Sequence, residues 1–279
     1  MFIHHLPKMR GGRIPNLTTF KVVCTAEEAH GKLIGLKSLK SPDETDDFVH
    51  VVLAKLERNN TNLIVKLQEP GRLLSMELHI QHILKHQNNI IRYICDFSCT
   101  FDAIVWKKPI RTLDTHQFCI DKGVRYHMIL MEYIQHDLAN FLENSSYNEK
   151  ILRSLILQVG LSLLEIHINH GISHNDIHRG NVLLDIDTPK DIVYTIGECT
   201  KTVSTYGHEV IFIDFQRGNI LGKDDTANLC QLASDEISLA FELMGKWAKP
   251  EYKPLLQELM RRTMECNNTK GLFDSICNT

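Results

Sequence analysis

The segment 174–181 reads HNDIHRGN and places Asp176 five residues before Asn181. The spacing H-x-D-x-x-x-x-N is typical of phosphoryl transfer, in which an aspartate orients an acceptor hydroxyl and an amide oxygen holds a divalent cation. Asp214 follows the apolar, strand-like run Val210–Ile213 and is the expected carboxylate ligand of the same metal. We therefore predict Asp176 as the catalytic base, and Asn181 and Asp214 as ligands of Mg²⁺.

Two charged residues earlier in the chain have types and positions that fit the same chemistry. Lys66 lies late in the apolar run Leu63–Leu67, where a lysine could bind the α and β phosphates of a nucleotide. Glu77, on the helical run that follows, is the expected ion-pair partner of Lys66. Each residue alone fits an ordinary surface position, but all of them occur in the chain order that phosphoryl transfer requires. We therefore add Lys66 and Glu77 to the predicted catalytic residues.

The elements that must position these residues can be predicted from the periodicity of apolar side chains. Before residue 132, the pattern predicts strands, with one helix that starts at Leu73 and ends before Asn88-Asn89. After that point, a 3.6-residue period from Asn148 to His170 predicts a long buried helix that stops at Gly171. The predicted strands are 32–39, 48–56, 63–67, 90–97, 126–131, 182–184 and 210–213, with a loop over 185–209 and helical structure from 226 to 264.

Composition limits the classes of function. The 279 residues are 43% hydrophobic and 23% charged, which suits a globular chain, and the net charge of -3 gives no reason to expect direct nucleic-acid binding. No uninterrupted apolar run approaches the roughly 18 residues of a membrane span, so no membrane association is expected. The eight cysteines have no repeated Cys-x-x-Cys spacing. We expect a protein of a reducing compartment, in the cytoplasm or nucleus.

Over about residues 30 to 240 the sequence resembles the protein kinase superfamily. The run 128–134, MILMEYI, resembles the strand and hinge that bind adenine in that family. The resemblance implies adenine contacts at Met131, Glu132 and Ile134, and a ribose contact at Asp137. It also implies an α+β class and a two-lobed kinase fold, with a mostly antiparallel β N-lobe and a shortened helical C-lobe. The implied domains are an extension over 1–30, an N-lobe over 31–134 and a C-lobe over 135–279.

Within that superfamily the sequence is similar to haspin and haspin-like kinases. The evidence is the run 174–184, HNDIHRGNVLL, the long interval 185–209 before the second metal ligand, and the lack of an A-P-E motif after Asp214. This resemblance implies an ATP- and Mg²⁺-dependent serine/threonine kinase, expected to be a monomer, that acts on a protein substrate such as a basic, histone-like tail. The compact C-terminal region also resembles kinases of large DNA viruses, which implies a location in the host cell or virion.

Several positions depart from the kinase pattern and keep two alternatives open. The place of the glycine-rich phosphate loop is taken by Ser41–Asp47, whose four carboxylates would repel a triphosphate. This favours a pseudokinase that works as a binding or scaffold module. His178 and the missing A-P-E motif instead favour a small-molecule kinase of the aminoglycoside or choline type. Asn175 stands where many kinases have an arginine that pairs with a phosphorylated activation loop. Asp235 is the predicted anchor on the next large helix.

Overall fold

The computed structural model describes residues 33–40, 49–56, 61–68, 71–99, 105–106, 126–221, 226–266 and 268–278. The predicted extension over 1–30 and the acidic segment Ser41–Asp47 lie outside these residues. The described chain is a mixture of helices and mostly antiparallel sheet, which is compatible with the predicted α+β class. It divides into two compact units, each held together by contacts between its own residues.

The strands of the first unit are β1 Leu33–Lys40, β2 Val49–Leu56, β3 Thr61–Gln68, β4 Tyr93–Cys99, β5 Val105–Trp106 and β6 Tyr126–Glu132. They form a six-stranded sheet with the order β4-β6-β3-β2-β1-β5. The predicted hairpin is confirmed, because β2 and β3 pair antiparallel from Val49 opposite Gln68 to Leu56 opposite Thr61. β3 also pairs with β6, so Lys66 lies on a central strand rather than on an edge.

The helix α1 spans Arg72–Leu84, between β3 and β4. Its buried apolar side chains include Leu74, Ile80 and Leu84, which recur at helical spacing. The helix stops short of Asn89, which has a left-handed backbone with φ of 61°. Asparagine tolerates this conformation better than most residues. The predicted helix is therefore confirmed, with its C-terminus a few residues earlier than the sequence indicated.

The second unit is built around α3, Glu149–His170. Its N-terminus is capped by Asn148, whose side chain accepts a hydrogen bond from the N–H of Ile151. Its C-terminus is Gly171, where φ of 65° requires a residue without a Cβ penalty. By length and composition α3 could cross a membrane, although the sequence contains no uninterrupted apolar run of that length. Most of α3 is buried in the core of this unit, as is typical of a central helix of a folded domain.

The second unit also contains β7 His136–Asp137, α2 Leu138–Asn144, β8 Ile172–Ser173, β9 Val182–Ile186, β10 Asp191–Ile196, β11 Cys199–Ser204, β12 His208–Phe212 and β13 Asn219–Ile220. A three-stranded sheet, β12-β9-β7, lies beside α3. The interval 185–209, predicted as a loop, instead contains an antiparallel hairpin of β10 and β11. The alternating burial of β10, with Ile192, Tyr194 and Ile196 inward, explains why a hairpin forms there.

Three helices complete the second unit. The helical stretch predicted over 226–264 is two helices, α4 Thr226–Trp247 and α5 Lys253–Met264, followed by α6 Thr269–Cys277. The break contains a short 3₁₀ turn that starts at Pro250, a residue that has no N–H to continue a helix. The core of the unit includes Phe212, Phe215 and Phe241, all fully buried.

The two units are divided at Tyr133 and Ile134. The first comprises the described residues up to Ser75 together with Ile91–Tyr133, and the second comprises Met76–Ile90 together with the described residues from Ile134 onward. The predicted hinge therefore lies at the change from one unit to the other. The predicted domain limits at residues 31, 134 and 135 stay a prediction.

Candidate active site

The backbone that carries Asp176 is held by one buried carboxylate. Glu236 of α4 accepts hydrogen bonds from the N–H of His174 at 3.1 Å and from the N–H of Asn175 at 2.6 Å. Nε2 of His167, near the end of α3, donates to the same carboxylate at 2.6 Å. Burial acts to raise the pKa of Glu236, but the hydrogen bond and charge of His167, with His174 and Asn175, outweigh it and lower the pKa. Glu236 therefore stays ionised and fixes the start of the loop.

His174 connects this loop to the segment that carries Asp214. The ring is completely buried, and its Nε2 donates to the carbonyl of Ile213 at 2.9 Å. It also packs against Phe215, with ring centroids 4.4 Å apart. Burial lowers the pKa of His174 despite the neighbouring carboxylates, since a charged ring would lose its hydration there. A neutral His174 therefore joins the segment of Asp176, predicted to bind the acceptor, to the segment of Asp214, predicted to bind the metal.

Asp176 and Asn181 are in direct contact. The Nδ2 group of Asn181 donates to the backbone carbonyl of Asp176 at 2.9 Å and to its Oδ2 at 3.1 Å. Asn181 ends a 3₁₀ turn and is buried, whereas 23% of the Asp176 side chain is exposed. The amide nitrogen of Asn181 therefore faces Asp176, so that the amide oxygen can coordinate a cation. The predicted pair is brought together by the structure.

The register of β9 and β12 places Asn181 beside the segment of Asp214. Val182 lies opposite Phe212, and the N–H of Ile213 donates to the carbonyl of Asn181 at 3.1 Å. Asp214 is half-buried and has a left-handed backbone with φ of 64°, a conformation that aspartate adopts more readily than most residues. Among the described residues no group of three or more His, Cys, Asp or Glu side chains forms a metal cage.

His178 is oriented by the turn that it begins. Its Nδ1 accepts a hydrogen bond from the N–H of Gly180 at 3.0 Å, so the ring proton lies on Nε2. Nε2 lies 3.6 Å from Oδ2 of Asp176. A Cβ at position 180 would lie 3.1 Å from Cε1 of His178, a tight contact with the half-exposed ring. The His178 and Gly180 pair therefore places an imidazole N–H next to the predicted base.

Asp137, the predicted ribose contact, is the N-cap residue of α2. Its Oδ1 accepts a hydrogen bond from the N–H of Asn140 at 2.6 Å and lies 3.8 Å from Nε of Arg179. Arg179 makes a two-point contact with Glu143, at 3.1 and 2.8 Å. β7 pairs with β9, which brings Asp137 opposite Leu183, two residues after Asn181. The structure thus gives Asp137 a capping role and places it near the loop that carries Asp176 and Asn181.

In the first unit, Lys66 is only 3% exposed. Lys66 lies between Val51 of β2 and Ile129 of β6 and does not lack an interaction partner. Glu77, which belongs to the second unit, is 1% exposed and also has a partner. Because both side chains are buried, neither residue fits the alternative of a solvated surface position. Each has a partner, as a buried charge requires.

The predicted hinge residues Met131, Glu132 and Ile134 are all buried. The N–H of Glu132 donates to the carbonyl of Arg92 at 3.1 Å, and its carboxylate accepts from the N–H of Arg92 at 3.0 Å. An adenine contact at Glu132 would therefore use its backbone carbonyl. The side chain instead fixes the entry to β4.

The prediction of Asp235 as the helix anchor is wrong. Asp235 is exposed and accepts a hydrogen bond from Gln231, one turn earlier on the same helix, whereas Glu236 is the anchor. A signal for Glu236 was present in the sequence, because it lies on the apolar stripe formed by Leu229, Ala233, Ala240 and Met244. A carboxylate on the buried face of a helix needs a partner and therefore indicates a structural or functional contact.

Comparisons with known proteins bear on the phosphoryl-transfer interpretation. No family model matches the chain. The serine/threonine-protein kinase haspin of Mus musculus is 31% identical over 84 residues, which are 30% of this chain and 11% of the mouse protein. Haspin of Bos taurus is 29% identical over 121 residues, which are 43% of this chain and 14% of the bovine protein.

The chain thus aligns with a small part of the length of these curated relatives. A link to viral kinases stays a prediction. The partial, distant similarity to haspin supports a protein-kinase-like relationship for this chain.

Proposed function

We propose that the chain is an ATP- and Mg²⁺-dependent serine/threonine protein kinase of the haspin-like type. The observation that carries this proposal is the contact of Asp176 with Asn181, in a loop held by the buried Glu236. Phosphoryl transfer depends mainly on positioning and electrostatic stabilisation, and a rigid loop with one exposed carboxylate edge provides both. The similarity to haspin supports the same reaction class.

In this proposal Asp176 orients the acceptor hydroxyl and accepts its proton. Asn181 fixes the carboxylate of Asp176 through Oδ2, and Glu236 fixes the backbone on the N-terminal side of the loop. His174 transmits the same positioning to the segment of Asp214. A displacement of Asp176 by about 1 Å would cost roughly 100-fold in rate, so these supporting contacts are part of the function.

The donor atoms of Asn181 and Asp214 fit Mg²⁺. An amide oxygen and a carboxylate are oxygen donors of the kind that Mg²⁺ prefers, and a site with only one or two carboxylates is typical when substrate phosphates and water complete the coordination. When bound, Mg²⁺ neutralises the charge that develops on the phosphates. Lys66 and Glu77 would fix the nucleotide phosphates, and Met131, Glu132, Ile134 and Asp137 would contact its adenosine part. The acceptor would be a serine or threonine of a protein, such as a basic, histone-like tail.

The first test is nucleotide binding. A ligand present at 100 times its dissociation constant stabilises a folded protein by about 2.7 kcal/mol. We expect Mg-ATP to raise the unfolding midpoint of the full chain in a thermal-shift titration, and Lys66→Met to reduce that rise. If Mg-ATP does not raise the midpoint of the wild-type chain, the scaffold alternative replaces the kinase proposal.

The second test is phosphate transfer. Labelled γ-phosphate should pass to a histone-tail peptide, and Asp176→Asn should reduce this transfer by at least about 1,000-fold while the Mg-ATP thermal shift remains. Asp187→Asn is the matched control, because Asp187 is exposed and lies outside the catalytic loop. Transfer only to small aminoglycoside- or choline-like hydroxyl compounds would support the small-molecule alternative. Transfer that survives Asp176→Asn would refute the assigned role of this residue.

A further inference from the structure

Three cationic or potentially cationic side chains lie in the segments around Asp176. They are His178, Arg179 and Arg217. Transfer of a phosphoryl group places negative charge on three equatorial oxygens, and fixed positive charge near them lowers the barrier. The contacts of the three side chains distinguish which of them can supply that charge.

Arg179 and His178 are already used by neighbouring groups. Arg179 binds both carboxylate oxygens of Glu143, an arrangement that fixes the guanidinium plane. His178 uses Nδ1 to accept the hydrogen bond from Gly180, and its Nε2 lies 3.6 Å from Oδ2 of Asp176. Both ring nitrogens of His178 therefore already face groups of the same loop.

Arg217 differs from both. Nη1 of its guanidinium lies 3.9 Å from Oδ1 of Asp176, on the opposite carboxylate oxygen from the one that faces Asn181 and His178. Its side chain is 68% exposed, so most of its five N–H donors face solvent. A long contact with an exposed guanidinium is weak, and a phosphate could replace it at little cost.

The backbone of Arg217 is tied to the catalytic loop. Its carbonyl accepts a hydrogen bond of 3.4 Å from Nδ2 of Asn175, the residue next to Asp176. Arg217 also ends the 3₁₀ turn that begins after Asp214. The contacts that place Arg217 beside Asp176 therefore include its backbone carbonyl and the 3₁₀ turn as well as its side chain.

We propose that Arg217 binds the phosphoryl group during its transfer and is a catalytic residue of the reaction. This inference rests on the proposed kinase function. In the step, the P–O bond to the leaving ADP breaks, a P–O bond to the acceptor oxygen forms, and the hydroxyl proton passes to Asp176. Arg217 forms and breaks no covalent bond, and its charge and paired N–H donors stabilise the equatorial oxygens.

Kinetics of Arg217→Gln, Arg217→Lys and the control Arg261→Gln test this inference. Arg261 is an exposed arginine of α5 that contacts Glu258 and Glu265, away from the catalytic loop. We expect Arg217→Gln to lower kcat about 100-fold both for transfer to a histone-tail peptide and for ATP hydrolysis without peptide. Arg217→Lys should lose about 10-fold, because it keeps the charge but not the paired donors. The KM for the peptide and the urea midpoint should stay at their wild-type values.

The outcomes distinguish two possible ligands of Arg217, the transferred phosphoryl group and an anionic group of the protein substrate. If Arg217→Gln raises only the KM for the peptide and leaves ATP hydrolysis unchanged, Arg217 binds an anionic group of the protein substrate and the inference is wrong. Wild-type kcat in Arg217→Gln for both reactions also overturns it. A wild-type chain and an Arg261→Gln variant that both lack transfer and hydrolysis would instead overturn the proposed function, and this inference with it.

Discussion

Replacement of Glu236 should destabilise the loop that carries Asp176. The carboxylate of Glu236 accepts from the buried N–H of His174, from the N–H of Asn175 and from Nε2 of His167. Glu236→Ala removes all three acceptor contacts and leaves buried donors without a replacement. Glu236→Gln keeps the shape and one acceptor oxygen. Its NH₂ group, however, takes the place of the other carboxylate oxygen and faces N–H donors that this oxygen accepts from in the wild type.

The size of the effect follows from these contacts. Hydrogen bonds to charged groups contribute about 1.5–3 kcal/mol each, but three bonds to one carboxylate are not additive. Breaking a buried ionic contact from one side typically costs about 3–5 kcal/mol. We therefore expect Glu236→Ala to lower the free energy of unfolding by about 3–5 kcal/mol, and Glu236→Gln by about 1–2 kcal/mol.

Urea unfolding of the full chain measures this effect, and Asp235→Asn is the matched control. Asp235 is the adjacent carboxylate on α4, but it is exposed and accepts only from the Gln231 side chain. Its substitution should change the free energy of unfolding by less than about 0.5 kcal/mol. The reasoning would be refuted if Glu236→Ala and Asp235→Asn had equal effects.

The pH dependence gives a second measure of Glu236. Its pKa is lowered in the folded state, so the folded protein binds fewer protons here than the unfolded chain. The stabilisation is present above the unfolded pKa of about 4.3 and is lost as the pH falls through the lower folded pKa. The difference in unfolding free energy between wild type and Glu236→Gln should therefore shrink as the pH is lowered below about 4.

Two further predictions concern the surroundings of the loop. Gly218→Ala should destabilise by about 1–3 kcal/mol, because the added Cβ would lie 2.7 Å from Cδ1 of Ile80 and 2.9 Å from the carbonyl of Phe215; urea unfolding measures this. For His174, burial lowers the folded pKa below the ordinary value of 6.5, so wild-type stability should fall as the pH drops below that value. His174→Gln, whose amide can still donate to Ile213, should remove this part of the pH dependence.

Each of these two predictions has a clear contrary result. For Gly218, the control is Gly245→Ala, where the added Cβ would lie 3.7 Å from Leu256 in ordinary contact and helix propensity should make the change neutral or stabilising. Equal effects at the two glycines would show that the space at Gly218 is not limiting. For His174, a wild-type to variant difference that stays constant between pH 7 and pH 5 would contradict a buried neutral ring.

Much of the fold could be predicted from local patterns. The β2 and β3 hairpin and the helices α1 and α3 were predicted because alternation and 3.6-residue periodicity record which face of an element is buried. The hairpin of β10 and β11 was missed, because β11 is largely polar and buries only Val203, so that it resembles a loop. The break between α4 and α5 was also missed, although Pro250 indicated that one helix could not continue.

The candidate site was predictable in part. The sequence by itself determined that Asp176 and Asn181 share a short loop, since their spacing of five residues fits one turn that returns the amide to the carboxylate. It also determined the order of the elements that carry Lys66 and Asp214. Which distant residue secures the loop was not determined, because the apolar stripe of α4 indicates that Glu236 faces inward but not toward which buried groups it is directed.

The tertiary structure decided that direction. α4 turns Glu236 into the core against His167 and His174, and leaves Asp235 in solvent. It also decided which cation near Asp176 is engaged and which is exposed, since Glu143 binds Arg179 and the 3₁₀ turn after Asp214 presents Arg217. The physical reason is that burial and pairing depend on contacts between residues far apart in the chain, whereas spacing reports only on contacts within one element or turn.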